Sequence, residues 1–201
     1  MSYRVPAGRQ RSVLEIKRSR FITTVSKVSD KDSANEFLAE LKKEFPDANH
    51  HCWAHILDNP ASPFGYDQSD DGEPKGTAGK PMLNVLQHSG LGQTMVIVTR
   101  YFGGIKLGAG GLVRAYSNSV SEALKQLSTY QHLEKEQLKL NLPYSILDTF
   151  KHYLKDIRVE ILQEDYSDSI DLCIEYPEDD KNEILKLIDE LGQSKINIIK
   201  R

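Results

Sequence analysis

The 201-residue chain is poor in cysteine, with Cys52 and Cys173 alone, and it has no long hydrophobic run. The two cysteines sit in separate strand-like runs, so they read as reduced core thiols and speak against a disulfide framework. No apolar stretch approaches the ~20 residues that a membrane helix needs. The opening Met1-Ser2-Tyr3-Arg4-Val5-Pro6 lacks the apolar core of a secretory leader, and a cytoplasmic protein is expected. Nucleotide-loop fingerprints are missing too. Gly76-Thr77-Ala78-Gly79-Lys80-Pro81 has Pro74 and Pro81 where a Walker loop needs Gly and Ser or Thr, which excludes a P-loop NTPase. Gly108-Ala109-Gly110 is followed by Val113 where a dinucleotide loop needs glycine or alanine. His50, His51 and Cys52 are adjacent, so their side chains alternate on a strand, and no second ligand pair supports zinc.

What the chain does have is the stretch Arg100–Tyr116. Five glycines fall between Gly103 and Gly111, and Arg100, Lys106 and Arg114 punctuate it without one acidic residue. Glycine costs backbone entropy and packs nothing, so this density calls for unusual dihedrals, close approach of another group, or both. An apolar run from Met95 to Val98 feeds into the stretch and a helical pattern leaves it, a plausible anion cradle at a helix N-terminus. Charge is uneven along the chain. Residues 1–130 hold 16 Lys and Arg against 13 Asp and Glu, whereas residues 131–201 hold 10 against 16. A nucleic-acid surface is therefore expected in the first half.

Periodicity sketches the elements. Val13–Ile16 and Phe21–Val25 read as strands, with Lys17-Arg18-Ser19-Arg20 as a tight hairpin or a bulge between them. Ser29 is expected to cap a helix built on Ala34, Phe37, Leu38, Leu41 and Phe45 and stopped by Pro46. His50–Leu57 reads as a strand with Cys52, Ala54 and Ile56 on a core face. His51, Trp53 and His55 then lie on the other face, one able to look into a cleft. Asp58–Lys80 reads as one long loop, functional or disordered, with Thr77 capping the helix that follows. Thr94–Thr99 is a strand, Leu112–Leu127 a helix, and 128–136 a polar linker. The remainder reads β-α-β-β-α-β: Leu138–Leu142, Tyr144–Ile157, Val159–Leu162, Ile170–Ile174, Glu178–Leu191 and Ile196–Ile199, the ferredoxin-like order.

Each chemical motif has competing readings. Asp67, Asp70, Asp71 and Glu73 suit Mg²⁺ or Ca²⁺ in their density but do not fit the EF-hand spacing. The reading that competes with a metal site, and is favoured over it, is a solvated acidic loop or one that pairs with Arg100 and Arg114. Helix N-termini near Thr77 and Gly111, close to Lys80, Arg100, Lys106 and Arg114, read as anion sites or as tight turns packed against a sheet. Tyr101 and Phe102 could stack on bases or pack on the core. No spacing supports Cys52 or a serine as a nucleophile.

Four motifs in order resemble the YigZ/IMPACT family. They are Ser19-Arg20-Phe21-Ile22; His50-His51-Cys52-Trp53-Ala54; Ser69–Pro74 with Gly76–Pro81; and Arg100–Gly104 with Leu107-Gly108 and Gly110–Tyr116. The remainder resembles the extra C-terminal domain of the bacterial branch. The resemblance implies a first domain similar to the second domain of a small-subunit ribosomal protein and to domain IV of elongation factor G. It implies a second domain similar to the ferredoxin-like domain V of that factor. For the eukaryotic branch it implies translational control through a starvation-sensing kinase pathway, by protein–protein contact. A proline-peptidase label carried by some members finds no peptidase metal set here.

The expected architecture is therefore α+β in two domains. Residues 1–130 form an IMPACT-type mixed sheet with helices, and residues 131–201 a ferredoxin-like βαββαβ domain. The expected site is a cleft between the 67–81 and 100–116 loops. Its ligand or phosphate contacts would be Thr77, Lys80, Arg100 and Tyr101, joined by Lys106, Arg114, Tyr116 and His51. Asp70, Asp71 and Glu73 form the acidic side. The expected role is a non-enzymatic regulator linked to translation, contacting RNA or a ribosome-associated partner, with no catalytic residue, metal, cofactor or membrane. The alternatives are a metal-dependent hydrolase of a small phosphorylated substrate and a pure protein-docking module.

Overall fold

A computed structural model describes residues 2–192 and 195–199 and divides them into two units, Tyr3–His132 and Leu133 onward. In the first unit, β1 (Tyr3–Pro6) pairs antiparallel with β7 (Thr129–His132), from Tyr3 opposite His132 to Pro6 opposite Thr129. Neither strand was expected, and β7 replaces part of the anticipated linker. Its polar sequence carries no strand pattern, and only the distant partner creates the pairing.

β2 (Gln10–Ile16) and β3 (Ser19–Lys27) form the hairpin, with Ile16 opposite Ser19. Lys17 and Arg18 both take positive φ, 47° and 64°, as the primed turn that matches strand twist requires. α1 (Lys31–Glu44) is capped by Asp30 rather than Ser29. The Asp30 carboxylate accepts the Ser33 N–H at 2.7 Å, and the Ser33 hydroxyl accepts the Asp30 N–H at 3.3 Å. β4 (His50–Ile56) follows, and β5 (Tyr66–Ser69) then pairs with it inside what was read as a loop. α2 (Gly79–His88), β6 (Thr94–Tyr101) and α3 (Ala109–Lys125) complete the unit. α3 begins three residues before the expected start, because Gly108 at φ +72° supplies a turn tight enough to open it there.

The five strands run in the order β2-β3-β6-β4-β5, and every pairing is antiparallel. This corrects the expected mixed sheet; the strands join through hairpins and helices that return the chain in the opposite sense. One face packs Phe21, Val25, Cys52, Ala54, Ile56, Val96 and Val98 against Met82 and Leu86 of α2 and Ala115, Tyr116 and Val120 of α3. The other packs Met95, Ile97 and Trp53 against Phe37 and Leu41 of α1. Alternation along each strand makes this two-sided core.

The second unit contains β8 (Lys135–Leu142), α4 (Tyr144–Leu154), β9 (Glu160–Tyr166), β10 (Ile170–Pro177), α5 (Lys181–Gly192) and β11 (Asn197–Ile198). Its sheet order, β11-β8-β10-β9, is the ferredoxin-like arrangement, with all pairs antiparallel. Leu140, Leu142, Phe150, Leu172, Ile174 and Ile184 form its core. The expected helix at Glu178 starts later, at Lys181, after a single tight turn over Glu178–Asp180. Among the described residues no helix is long and apolar enough to cross a membrane.

Candidate binding site

The register of three strands places one row of side chains at the end of the sheet. Phe21 on β3 and His50 on β4 both lie opposite Arg100 on β6, so all three face α3. Arg100 is 5% exposed and Glu73 8%. Burying two charges is costly unless every polar atom is matched. Here Arg100 Nη1 donates to Glu73 Oε1 and Nη2 reaches Ser19 Oγ at 3.4 Å, while the buried Nε has no hydrogen-bond partner among the described residues. The guanidinium lies over the rings of Phe21 and Phe102, 5.3 and 5.7 Å from their centroids. The Tyr116 hydroxyl donates to Glu73 Oε1 at 2.8 Å, and Cys52 Sγ lies 3.3 Å from that hydroxyl. Burial pushes the Tyr116 phenol and the Cys52 thiol far up, so both stay protonated and Cys52 is no nucleophile.

The acidic loop is committed to the fold. Asp70 accepts backbone N–H groups from Gly76, Ala78 and Gly79 at 2.7, 3.0 and 2.8 Å, occupying the N-terminus of α2. Burial raises its carboxyl pKa, but these bonds outweigh burial and hold it below the usual aspartate range. The anion expected near Thr77 is therefore this chain's own side chain. Thr77 is not the cap: its hydroxyl donates to Pro74 O at 2.6 Å. Asp71, at φ 40°, accepts the His51 N–H at 2.6 Å and offers its carbonyl to His50 Nδ1 at 2.8 Å. Among the described residues no three His, Cys, Asp or Glu side chains form a metal-holding group.

A cavity of about 440 Å³ does open between the two expected loops, lined by Asn49, His50, Glu73, Pro74, Arg100, Phe102, Lys106, Leu107 and the start of α3. The expected cations disperse around it. Arg100 and Lys106 line the cavity. Arg114 lies elsewhere with Lys17 and Asn118, so it does not meet the acids. Lys80 lies in a separate groove of about 720 Å³ between α2 and α3. Tyr101 sits under the Arg20 guanidinium at 5.3 Å. His51 leaves the site altogether. It is buried on the α1 side, its Nδ1 3.1 Å from Thr99 Oγ1. The Trp53 and His55 rings stack on that same side, 5.2 Å apart, so this face is not the floor of the cleft. His50 takes its place, and strand parity with Cys52 was the signal that would have named it.

The α2–α3 groove brings together Arg4, Lys80, His88 and Lys125 with Asn84, Ser89, Ser117 and Ser121. None of the described residues lining it is acidic. Lys125 also holds Glu122 at 2.6 Å, and Arg4 Nη2 donates to Ser89 O at 2.8 Å.

Residues 17–124 match the Impact N-terminal domain, and residues 140–195 match a domain of unknown function, DUF1949. An "IMPACT family member" of Haemophilus influenzae is 44% identical over 80% of this chain and 78% of its own. "IMPACT family member YigZ" of Escherichia coli is 40% identical over 88% and 86%. The chain belongs to the IMPACT family. "IMPACT family member YvyE" of Bacillus subtilis is 36% identical over 96% of this chain and 87% of its own. The crystal structure of a hypothetical protein covers 100% of this chain and 97% of its own at TM-score 0.73 and 37% identity. In this IMPACT chain all four motif segments converge on Glu73: Ser19 through Arg100, His50 across the sheet, and Arg100 and Tyr116 directly.

Proposed function

We propose that this IMPACT-family chain is a non-enzymatic, translation-linked regulator that contacts RNA through the α2–α3 groove. One observation carries this reading. Arg4, Lys80, His88 and Lys125 gather with amide and hydroxyl groups along one groove that has no acidic residue among its described lining. Arg4 and Lys80 have no carboxylate partner among the described residues, Lys125 alone is shared with Glu122, and such a row suits a phosphate backbone, with short polar side chains supplying further phosphate contacts. The translational setting rests on family membership and on what the resemblance implies for the eukaryotic branch. The acids that would serve a hydrolase are held elsewhere: Asp70 on backbone N–H groups, Asp71 on His51, Glu73 on Arg100 and Tyr116.

The test is fluorescence anisotropy of a labelled single-stranded RNA against the full chain across a salt series. Affinity is expected to fall steeply with salt. Lys80→Ala should lower the slope of log K against log salt by about 0.7, the share of one phosphate contact on a single strand. Salt-independent binding, or no binding at physiological salt, would overturn the reading.

A further inference from the structure

One buried donor at the centre of the first unit is left over. Arg100 Nη1 and Nη2 reach Glu73 and Ser19, yet its Nε is closed to water and meets no acceptor among the described residues. A buried donor without an acceptor is costly, and native folds rarely tolerate one. The Arg100 side chain lines the cavity of about 440 Å³ beside α3. The Phe102 ring lines the same cavity, with its centroid 5.7 Å from the guanidinium carbon, and the residue is 45% exposed. A ligand in the cavity meets Nε once that ring turns aside.

More donors converge on the same space. The start of α3 lines it through Gly108, Ala109 and Leu112, and the exposed Lys106 lines it beside them. Gly108 caps the helix with no side-chain cap bond, and no acid stands in the first turn. The ladder begins where the Leu112 N–H donates to Gly108 O at 2.9 Å, so the N–H groups of Ala109, Gly110 and Gly111 precede the first intrahelical bond. At α2 the corresponding position is filled from within the chain, by the Asp70 carboxylate on the Ala78 and Gly79 N–H groups. The walls around the α3 donors are Pro74, Leu107, Leu112 and Phe102, which are apolar.

We propose that this cavity binds a carboxylate carried on an apolar or aromatic body, with the carboxylate on Arg100 Nε, the first N–H groups of α3 and Lys106, and the body against Pro74, Leu107, Leu112 and Phe102. A helix N-terminus with a matching cation is a ready anion site, and a cavity of this size with apolar walls and a few convergent donors suits a small ligand. Charge favours a carboxylate over a phosphate monoester. Of the arginine, lysine and acidic residues lining the cavity, Arg100 and Lys106 outnumber Glu73 by one. That surplus matches a single negative charge, whereas a dianion would face the Glu73 carboxylate with no cation to spare. The chemistry is the same for a free small acid and for the C-terminal carboxylate of a peptide. No residue of this cavity lines the α2–α3 groove, so the inference stands or falls separately from the RNA reading.

The experiment is NMR titration of the full ¹⁵N-labelled chain with phenylacetate, phenylacetamide and phenyl phosphate, and with N-acetyl-alanyl-phenylalanine bearing a free or an amidated C-terminus. Phenylacetate at millimolar concentration should shift the Arg100 Nε–H resonance and the amides of Ala109, Gly110 and Gly111. Phenylacetamide, of the same shape without the charge, should bind about tenfold more weakly or worse, the share of a charge-assisted hydrogen bond. Lys106→Gln should weaken phenylacetate about two- to fivefold, as expected for one exposed charge. Lys80→Ala, in the other groove, should leave phenylacetate binding intact even where it weakens RNA. A free peptide acid tighter than phenylacetate, with its amidated form weak, supports a peptide terminus as the source, and a peptide acid no tighter supports a free small acid. An unmoved Arg100 Nε–H, phenylacetamide equal to phenylacetate, phenyl phosphate tighter than phenylacetate, or Lys106→Gln without effect would overturn the proposal.

Discussion

Tyr116 shows what a single atom contributes at the centre of the first unit. Its hydroxyl sits between Glu73 Oε1 and Cys52 Sγ, at 2.8 and 3.3 Å, in a fully buried position. Tyr116→Phe removes only that oxygen. Glu73 then keeps Arg100 but loses its second donor while still buried, and a hydrogen bond to a charged group contributes about 1.5–3 kcal/mol. The expected result is an unfolding free energy lower by that amount, read as a lower urea midpoint at unchanged m with the fold retained; an unchanged midpoint would mean that Arg100 alone satisfies Glu73. Part of this cluster was legible in the residue string. The glycine-rich stretch that holds Arg100 and Tyr116 and the acidic loop that holds Glu73 are visible without coordinates. That Asp70 would cap α2 was not visible. The carboxylate lies eight and nine residues before the N–H groups of Ala78 and Gly79. Local cap rules look within one turn of the helix, and a loop that folds back defeats them.

At the scale of elements, the glycine-rich segment between β6 and α3 resolves into different demands at different positions. A Cβ on Gly103 would stand 2.0 Å from the Arg18 carbonyl carbon and 2.1 Å from its oxygen, against the turn of the β2–β3 hairpin. The Gly103 N–H also donates to Ser19 Oγ at 3.1 Å, so neither side can retreat cheaply. Gly110 in the first turn of α3 meets nothing within 4 Å. Opposite outcomes follow for one substitution at the two sites. Gly103→Ala should destabilise the unit by about 1–3 kcal/mol through overpacking. Gly110→Ala should stabilise it by about 0.5–1 kcal/mol through helix propensity and a less flexible unfolded chain. Paired thermal melts check both signs, and equal shifts would refute the steric account. The density of glycine alone implies close approach or unusual dihedrals. Which glycine served which need depended on Arg18, which lies more than eighty residues away in the chain.

For the whole molecule, acid should act in two stages. Burial holds His51 and His55 below the ordinary histidine value, with Asp71 and the Gly65 carbonyl only partly offsetting it. Both rings are therefore neutral in the folded state while the unfolded chain takes up protons. Their contribution is complete above about pH 6.5 and is lost as pH falls below it toward the lower folded values. Asp70, held low by three backbone donors against the effect of burial, contributes fully above about pH 3.9 and loses that contribution below it. Urea midpoints taken from about pH 7.5 down to about pH 5 should hold nearly level to about pH 6.5 and fall below it. A flat profile in that window would remove the two histidines from this account.

Composition and periodicity by themselves determined a good deal. They set the two-domain α+β class, the ferredoxin-like second unit, and the stretch around which the first unit is built. These are local or repeating signals, and apolar spacing reports them directly. Tertiary structure decided the rest. It added β1, β5 and β7, four-residue segments too short to show a strand period and paired only through partners elsewhere in the chain. It moved His51 behind the sheet and brought His50 forward, by one residue of strand parity. It sent Lys80 and Arg114 away from Arg100, although all three had looked like one cation cluster. It also answered whether Arg100 serves the acidic loop or an outside phosphate: it is paired with Glu73, in a buried place where neither charge is stable alone. Which groups remain open to a ligand is a property of what is left over after every internal pairing, and no local reading of the chain can carry out that subtraction.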